Sequence, residues 1–276
     1  MRWLRIGRWV ALLALGVLDV VLLHRHWADN RLLHTWSAAF VQPSDPPSEK
    51  ARKILGQFRP LKYDSENPPP IGAFGSLGLA PREVLEHGGP CESKSRLARA
   101  VLRLHGIHAD RVLLFDGDLR AYHTMIEIDV EDGAKMAADP LYGLVFPKPG
   151  GGYYGIAELQ RDPQIATRRL HEIRVENPPP SPPYPATIER HLRNLDFRHP
   201  LRTVDWQPST AARRVARAMI TSVLGEEFLR NTPRPYFMDR PALMTLFGVF
   251  GLQAAISATW LVEGLPRLIR HRITPA

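Results

Sequence analysis

Residues Ala242 to Val262, ALMTLFGVFGLQAAISATWLV, run for 21 positions without a charge, and Gln253 is the only strongly polar member. A helix of a water-soluble domain normally keeps a polar face, so a helix apolar all round belongs in a deep core or in lipid. About 20 apolar residues is also the length that a bilayer's hydrocarbon layer requires. The segment therefore reads as a transmembrane helix.

A second apolar block, Trp9 to Leu23, is 15 residues long and contains Asp19. It reaches across a bilayer only if Leu4 and Ile6 join it and the arginines at 2, 5 and 8 snorkel to the surface. A secretory signal peptide is the rival reading. HRHWADN follows the block with no small-residue cleavage site close by, which favours an uncleaved anchor. Arg2, Arg5 and Arg8 precede the first block, and Arg267, Arg270 and Arg272 follow the second. Basic residues outside both blocks predict that both termini are cytoplasmic and that the middle lies across the membrane. The expected setting is a bacterial inner membrane with two spans and the middle segment in the periplasm.

The net charge of +8 is then no sign of nucleic acid. Half of it sits in the terminal blocks, and the middle has no basic run that could track phosphates. The chain has one cysteine, Cys91, so no intrachain disulfide holds the fold.

Proline-rich stretches at 43–49, 67–70 and 177–185 divide the middle, since proline cannot continue a helix or central strand. They isolate a compact block, residues 76–175, after a helical and proline-rich lead-in at 25–75 and an anchor at 1–24. A linker with an amphipathic helix (176–240), a span (241–265) and a basic tail (266–276) complete the expected order.

Within the compact block, Ala80–Gly89 reads as a short helix ended by glycines, and Cys91–His105 as a second helix stopped by Gly106. On the second helix Leu97, Ala100, Val101 and Leu104 share an apolar arc, and Arg96, Arg99 and Arg103 lie opposite. Arg111–Asp116 reads as a strand. Ala121–Val130 alternates, with Tyr122, Thr124, Ile126 and Ile128 on one face and His123, Met125 and Glu127 on the other. Ala134–Pro140 is a third strand. A helix followed by an antiparallel meander gives an α+β fold. Beyond the linker, Ser209–Asn231 reads as an amphipathic helix whose Val215, Met219 and Val223 are expected to pack on the core.

Three residues capable of joint chemistry stand at or near the ends of these elements: Cys91 opening a helix, His123 in a strand, and Asp139 closing the next strand. A helix N-terminus and an adjacent imidazolium both favour a thiolate, and a carboxylate on the far side of the imidazole holds its tautomer and charge. Each residue alone has a bland reading, as a packed thiol, a strand histidine and a turn. Metal ligation by His87, Cys91, His123 and Asp139, or by His105 with His108, lacks a familiar ligand spacing.

The run GGPC (88–91), RLHGIHADRV (103–112), YHTMIEI (122–128) and ADPLYG (138–143) resembles the transglutaminase-like superfamily, cysteine enzymes of papain-like fold. The resemblance covers about residues 80–145. It implies Cys91 as nucleophile, His123 as general base and acid, and Asp139 as the orienting acid. It further implies acyl transfer from an amide or peptide bond through a thioester. Met125 stands where family members commonly carry Trp, which leaves the substrate class open. Protein or peptide substrates, envelope proteins among them, are the expected partners. No phosphate-cradling loop or cofactor motif is present, so no cofactor is expected. The rival from another class is a catalytically silent module of the same fold that binds or scaffolds a partner in a membrane assembly.

Overall fold

The structure is a computed structural model, and it describes residues 2–58, 61, 79–115, 121–176, 211–225 and 236–273. The proline-rich stretches at 67–70 and 177–185 and the Gly117–Asp118 turn lie outside the described residues. The fold is α+β, with two long apolar helices at its ends.

Helix α1 spans Arg2–Ala38, well past the expected anchor at 1–24. Its 37 residues correspond to about 55 Å. The last helix, α8, spans Pro241–Ile273 and so continues beyond residue 265. Both contain stretches long and apolar enough to cross a membrane, Ile6–Ala38 and Pro241–Trp260. They pair as a hairpin. Leu22 is buried by Ala242, Leu246 and Val249, Gln253 Nε2 donates to Asp19 Oδ2 at 2.6 Å, and Trp9 meets Trp260 edge-on at 4.6 Å. The outer faces stay bare: Trp9, Val10, Leu13, Val17, Val20, Phe247 and Leu252 are all exposed. A water-soluble domain rarely leaves so continuous an apolar surface open.

The central sheet has four antiparallel strands in the order β1-β2-β3-β4. These are Ala109–Phe115, Ala121–Asp129, Lys135–Asp139 and Leu144–Val145. β1 pairs with β2 so that Arg111 opposes Ile126 and Leu114 opposes His123. β2 pairs with β3 so that Ile126 opposes Ala138 and Ile128 opposes Met136. The tight turn between β2 and β3 holds Asp132 at φ 56°, a left-handed conformation that aspartate tolerates better than most residues.

Both faces of the sheet are buried. Ile126, Ile128, Met136 and Ala138 pack with Leu97, Ala98, Val101 and Leu102 of α4, Cys91–Leu104. Val112, Leu114, Met125 and Ala137 pack with Ile156 and Leu159 of α5, Ile156–Arg161, and with Ile165 and Ala166 of α6, Gln164–Glu176. The alternation read in β2 is therefore present, but its second face meets helices rather than water. Glu127 on that face is buried, and its Oε1 accepts the Ile156 N–H at 3.0 Å, capping α5.

The core is not confined to residues 76–175. Leu33 of α1 and Ala51, Ile54 and Leu55 of α2, Pro47–Gly56, join the cluster under α4 together with Val41 and Phe58. The proline-rich stretch at 43–49 does not exclude a helix either. Pro47 occupies the first position of α2, where its missing N–H costs nothing and its fixed φ suits the helix.

The arginines of α4 lie opposite its apolar arc, and Arg96 and Arg99 are nonetheless buried, covered by ion partners and by the segment Tyr236–Arg240. Conversely, Val215, Met219 and Val223 of α7, Ala211–Leu224, are exposed and do not pack on the core. The reason is occupancy: α4 covers one face of the sheet, and α5 with α6 covers the other.

Candidate active site

The approach to Cys91 is built by its neighbours. Helix α3, Pro81–His87, starts where Glu83 Oε2 accepts the Ala80 N–H at 2.7 Å. It ends at Gly88, whose φ of 70° is costly for any side-chain-bearing L residue. A Cβ on Gly89 would lie 3.0 Å from Ser93 Cβ, a tight contact that glycine avoids as the loop closes on the first turn of α4. Pro90 is the N-cap, its carbonyl accepting the Lys94 N–H at 3.0 Å. Cys91 is thereby fixed as the first residue of α4, where backbone N–H groups have no intrahelical partner and the helix dipole favours negative charge.

The structure brings Cys91, His123 and Asp139 together. The Cys91 thiol lies close enough to the His123 imidazole and the Thr124 backbone for both to act on its charge. On the other side of the ring, His123 Nε2 lies 2.8 Å from Asp139 Oδ2. That leaves Nδ1 to serve the sulfur. The second Asp139 oxygen, Oδ1, accepts the Leu141 N–H at 3.0 Å. His123 and Asp139 are buried, whereas Cys91 is partly exposed. The base and its acid are sealed from water, and the thiol is the least buried of the three.

Electrostatics favour the charged pair. Burial pushes the Cys91 thiol up, but the bond and positive charge of His123, with the Thr124 backbone, outweigh it and leave the thiol below its ordinary value. Burial also opposes charge on His123, yet Asp139 and then Cys91 push the imidazole up to about 10. Both shifts run toward a thiolate paired with an imidazolium, with His123 holding its proton through neutral pH.

Sequence reasoning missed the surroundings. Lys94, one turn beyond Cys91, is buried and donates to the Phe58 carbonyl at 3.1 Å and the Leu141 carbonyl at 3.0 Å. It thus grips the loop whose Leu141 N–H holds Asp139. Burial lowers its ammonium to about 8, although Asp139 opposes the shift. The signal was a lysine on the turn after the thiol. Tyr142 stacks near His123 with centroids 6.2 Å apart, and its cue was an aromatic residue three positions after the aspartate. Glu92 binds Arg96 within α4 and Arg111 of β1, the latter at 3.1 Å, and so ties the first turn of α4 to the sheet.

The histidines considered as metal ligands go elsewhere. His105 Nε2 lies 2.9 Å from Ser37 Oγ, His108 sits beside Asp110 and Asp129, and His87 lies 3.9 Å from Glu86. Among the described residues no group of three or more His, Cys, Asp and Glu side chains forms a metal-binding cluster.

No protein-family model, curated protein or solved structure matches the chain. What the site can do is therefore argued from its own geometry.

Proposed function

We propose that this chain is a membrane-anchored cysteine enzyme of transglutaminase-like type that cleaves an amide by acyl transfer. The observation that carries the reading is the meeting of Cys91, at a helix start, with a His123 that is hydrogen-bonded to Asp139.

Each group has a step. The Cys91 thiolate attacks the amide carbonyl carbon, and the carbonyl π pair moves onto oxygen. The Cys91 backbone N–H is placed to stabilise that oxyanion. The His123 imidazolium gives its proton to the departing nitrogen as the C–N bond breaks, leaving a thioester. Neutral His123 then takes a proton from water or from an amine as that acceptor attacks the thioester. The sulfur leaves as thiolate and the imidazolium is restored. Asp139 holds the ring and its positive charge throughout. The two apolar helices serve as anchors, and the basic flanks favour a domain on the non-cytoplasmic side.

The experiment is a burst assay on the full chain in detergent with p-nitrophenyl acetate, followed by mass spectrometry of the Cys91 peptide. The reading expects about one nitrophenolate per chain in the burst, with an acetyl group on Cys91. A folded protein that shows neither burst nor adduct overturns it and leaves the site as a binding surface.

A further inference from the structure

Helix α1 passes through the apolar hairpin and on into the α+β core, so position along it measures height above the apolar layer. Aromatic residues mark both ends of that layer. Trp9, packed on Trp260, and Trp27, exposed and covered by Arg31 at 5.5 Å, are 18 positions apart on one helix. That is about 27 Å of rise, close to the ~30 Å hydrocarbon thickness, and tryptophans gather at such boundaries.

Helix α4 descends beside α1 toward this boundary. At its far end His105 touches Ser37 and stacks near His34. Six residues lower, Arg99 pairs with Asp239, whose neighbour Arg240 bonds Asn30 Oδ1, seven residues below Ser37. Both helices rise 1.5 Å per residue, so the two descents, about 9 and 10 Å, agree. The eight residues from Arg99 to Cys91 lead about 12 Å further toward that boundary. A direct contact gives the height. Glu83 of α3, the helix leading into Cys91, pairs with Arg25 of α1 at 3.7 Å. Leu22 is buried against α8, and the polar run His24, Arg25 and His26 starts just above it, which sets the edge of the hydrocarbon there and leaves Trp27 in the headgroup layer.

We propose that the Cys91 site opens at the depth of the lipid headgroups and that its acyl donor is an amide carried on a molecule anchored in the same bilayer. This rests on the acyl-transfer reading for the chemistry and on the two-span reading for the depth of the thiol. A tethered donor reaches such a thiol at high effective concentration, whereas a soluble one must penetrate the headgroup layer.

The test uses the full chain in phosphatidylcholine vesicles. Alkylation is timed with water-soluble iodoacetamide and with an iodoacetamide coupled to a phosphatidylethanolamine headgroup in the same vesicles. The reference thiol is His108→Cys in a Cys91→Ala background, placed beyond the far end of α4, with external glutathione as a second reference should that variant misfold. Thiolate reactivity affects both reagents alike, so the ratio of rates reports depth even if Cys91 is not catalytic. The tethered-to-soluble ratio at Cys91 is expected to exceed both references about tenfold or more. A ratio equal to or below the references overturns the proposal. With depth established, a lipid-anchored peptide and an N-acylated headgroup lipid offered in the same vesicles distinguish the two carriers of the amide, and turnover of neither overturns the substrate assignment.

Discussion

Asp139 Oδ2 lies 2.8 Å from His123 Nε2, and both side chains are sealed from water. In so dry a setting an imidazolium without its carboxylate would lose its proton, because burial disfavours the charged form. The pair therefore sets the charge that Cys91 meets. Replacing Asp139 with Asn keeps the shape and an acceptor for the Leu141 N–H but removes the charge. The His123 titration midpoint, followed by NMR of labelled histidine, is expected to fall from about 10 toward or below the ordinary ~6.5. An unchanged midpoint would show that Asp139 does not hold the proton.

The same shift has a consequence for stability. The folded-state pKa of His123 is raised above its unfolded value, so the folded chain binds this proton more tightly. The contribution is fully present below about pH 6.5 and is lost as pH rises toward about 10. Cys91→Ala isolates this effect from the thiol, because Asp139 remains beside the ring. Thermal unfolding in detergent should show that variant losing stability across this window relative to Cys91→Ala/His123→Ala. Parallel curves for the two would refute the linkage.

Arg99 and Asp239 form an ion pair with almost no exposure on either side, and Arg99 Nε also donates to the Ala109 carbonyl at 2.7 Å. The pair ties the helix bearing Cys91 to the turn that leads into α8. Removing one partner leaves a buried charge, which typically costs about 3–5 kcal/mol, whereas apolar replacement of both is far milder. Asp239→Ala should thus lower the melting temperature more than Arg99→Met/Asp239→Leu. The reverse order would mean that the pair is not buried in solution.

Within the apolar hairpin, Gln253 Nε2 donates to Asp19 Oδ2 at 2.6 Å. Hydrogen bonds between membrane helices are modest, about 0.6–2 kcal/mol. Gln253→Leu leaves the aspartate facing hydrocarbon and should weaken the hairpin, while Asp19→Leu/Gln253→Leu should recover it. Cross-linking of cysteines placed at Trp9 and Trp260 in a Cys91→Ala chain reads the pairing. Equal yields in all three backgrounds would show that the polar contact is idle.

The site was legible in the sequence because its signals are local. Gly88-Gly89-Pro90 fixes a helix start, the alternation around His123 fixes a strand, and Asp139-Pro140 marks a strand end. The surroundings were not legible, because their partners are distant. Lys94 answers to Phe58 and Leu141, and Arg99 to a residue 140 positions away. Periodicity shows that a helix has two faces but not what covers each. Nothing in the spacing of the α4 arginines shows that other segments bury them, and the apolar stripe of α7, which predicts packing on the core, is exposed. Likewise α1 showed its apolar half, but its service to the core through Leu33 depends on α2 and α4 folding against it.

The central claim is that His123 favours the thiolate form of Cys91. The most direct measurement is the rate of Cys91 alkylation by iodoacetamide against pH, on the full chain and on His123→Ala. The wild-type midpoint is expected below the ordinary ~8.5, with a return to that value or above in the variant and a slower rate at pH 7. Slow alkylation with an ordinary or raised midpoint in both proteins would contradict it and make Cys91 a packing residue.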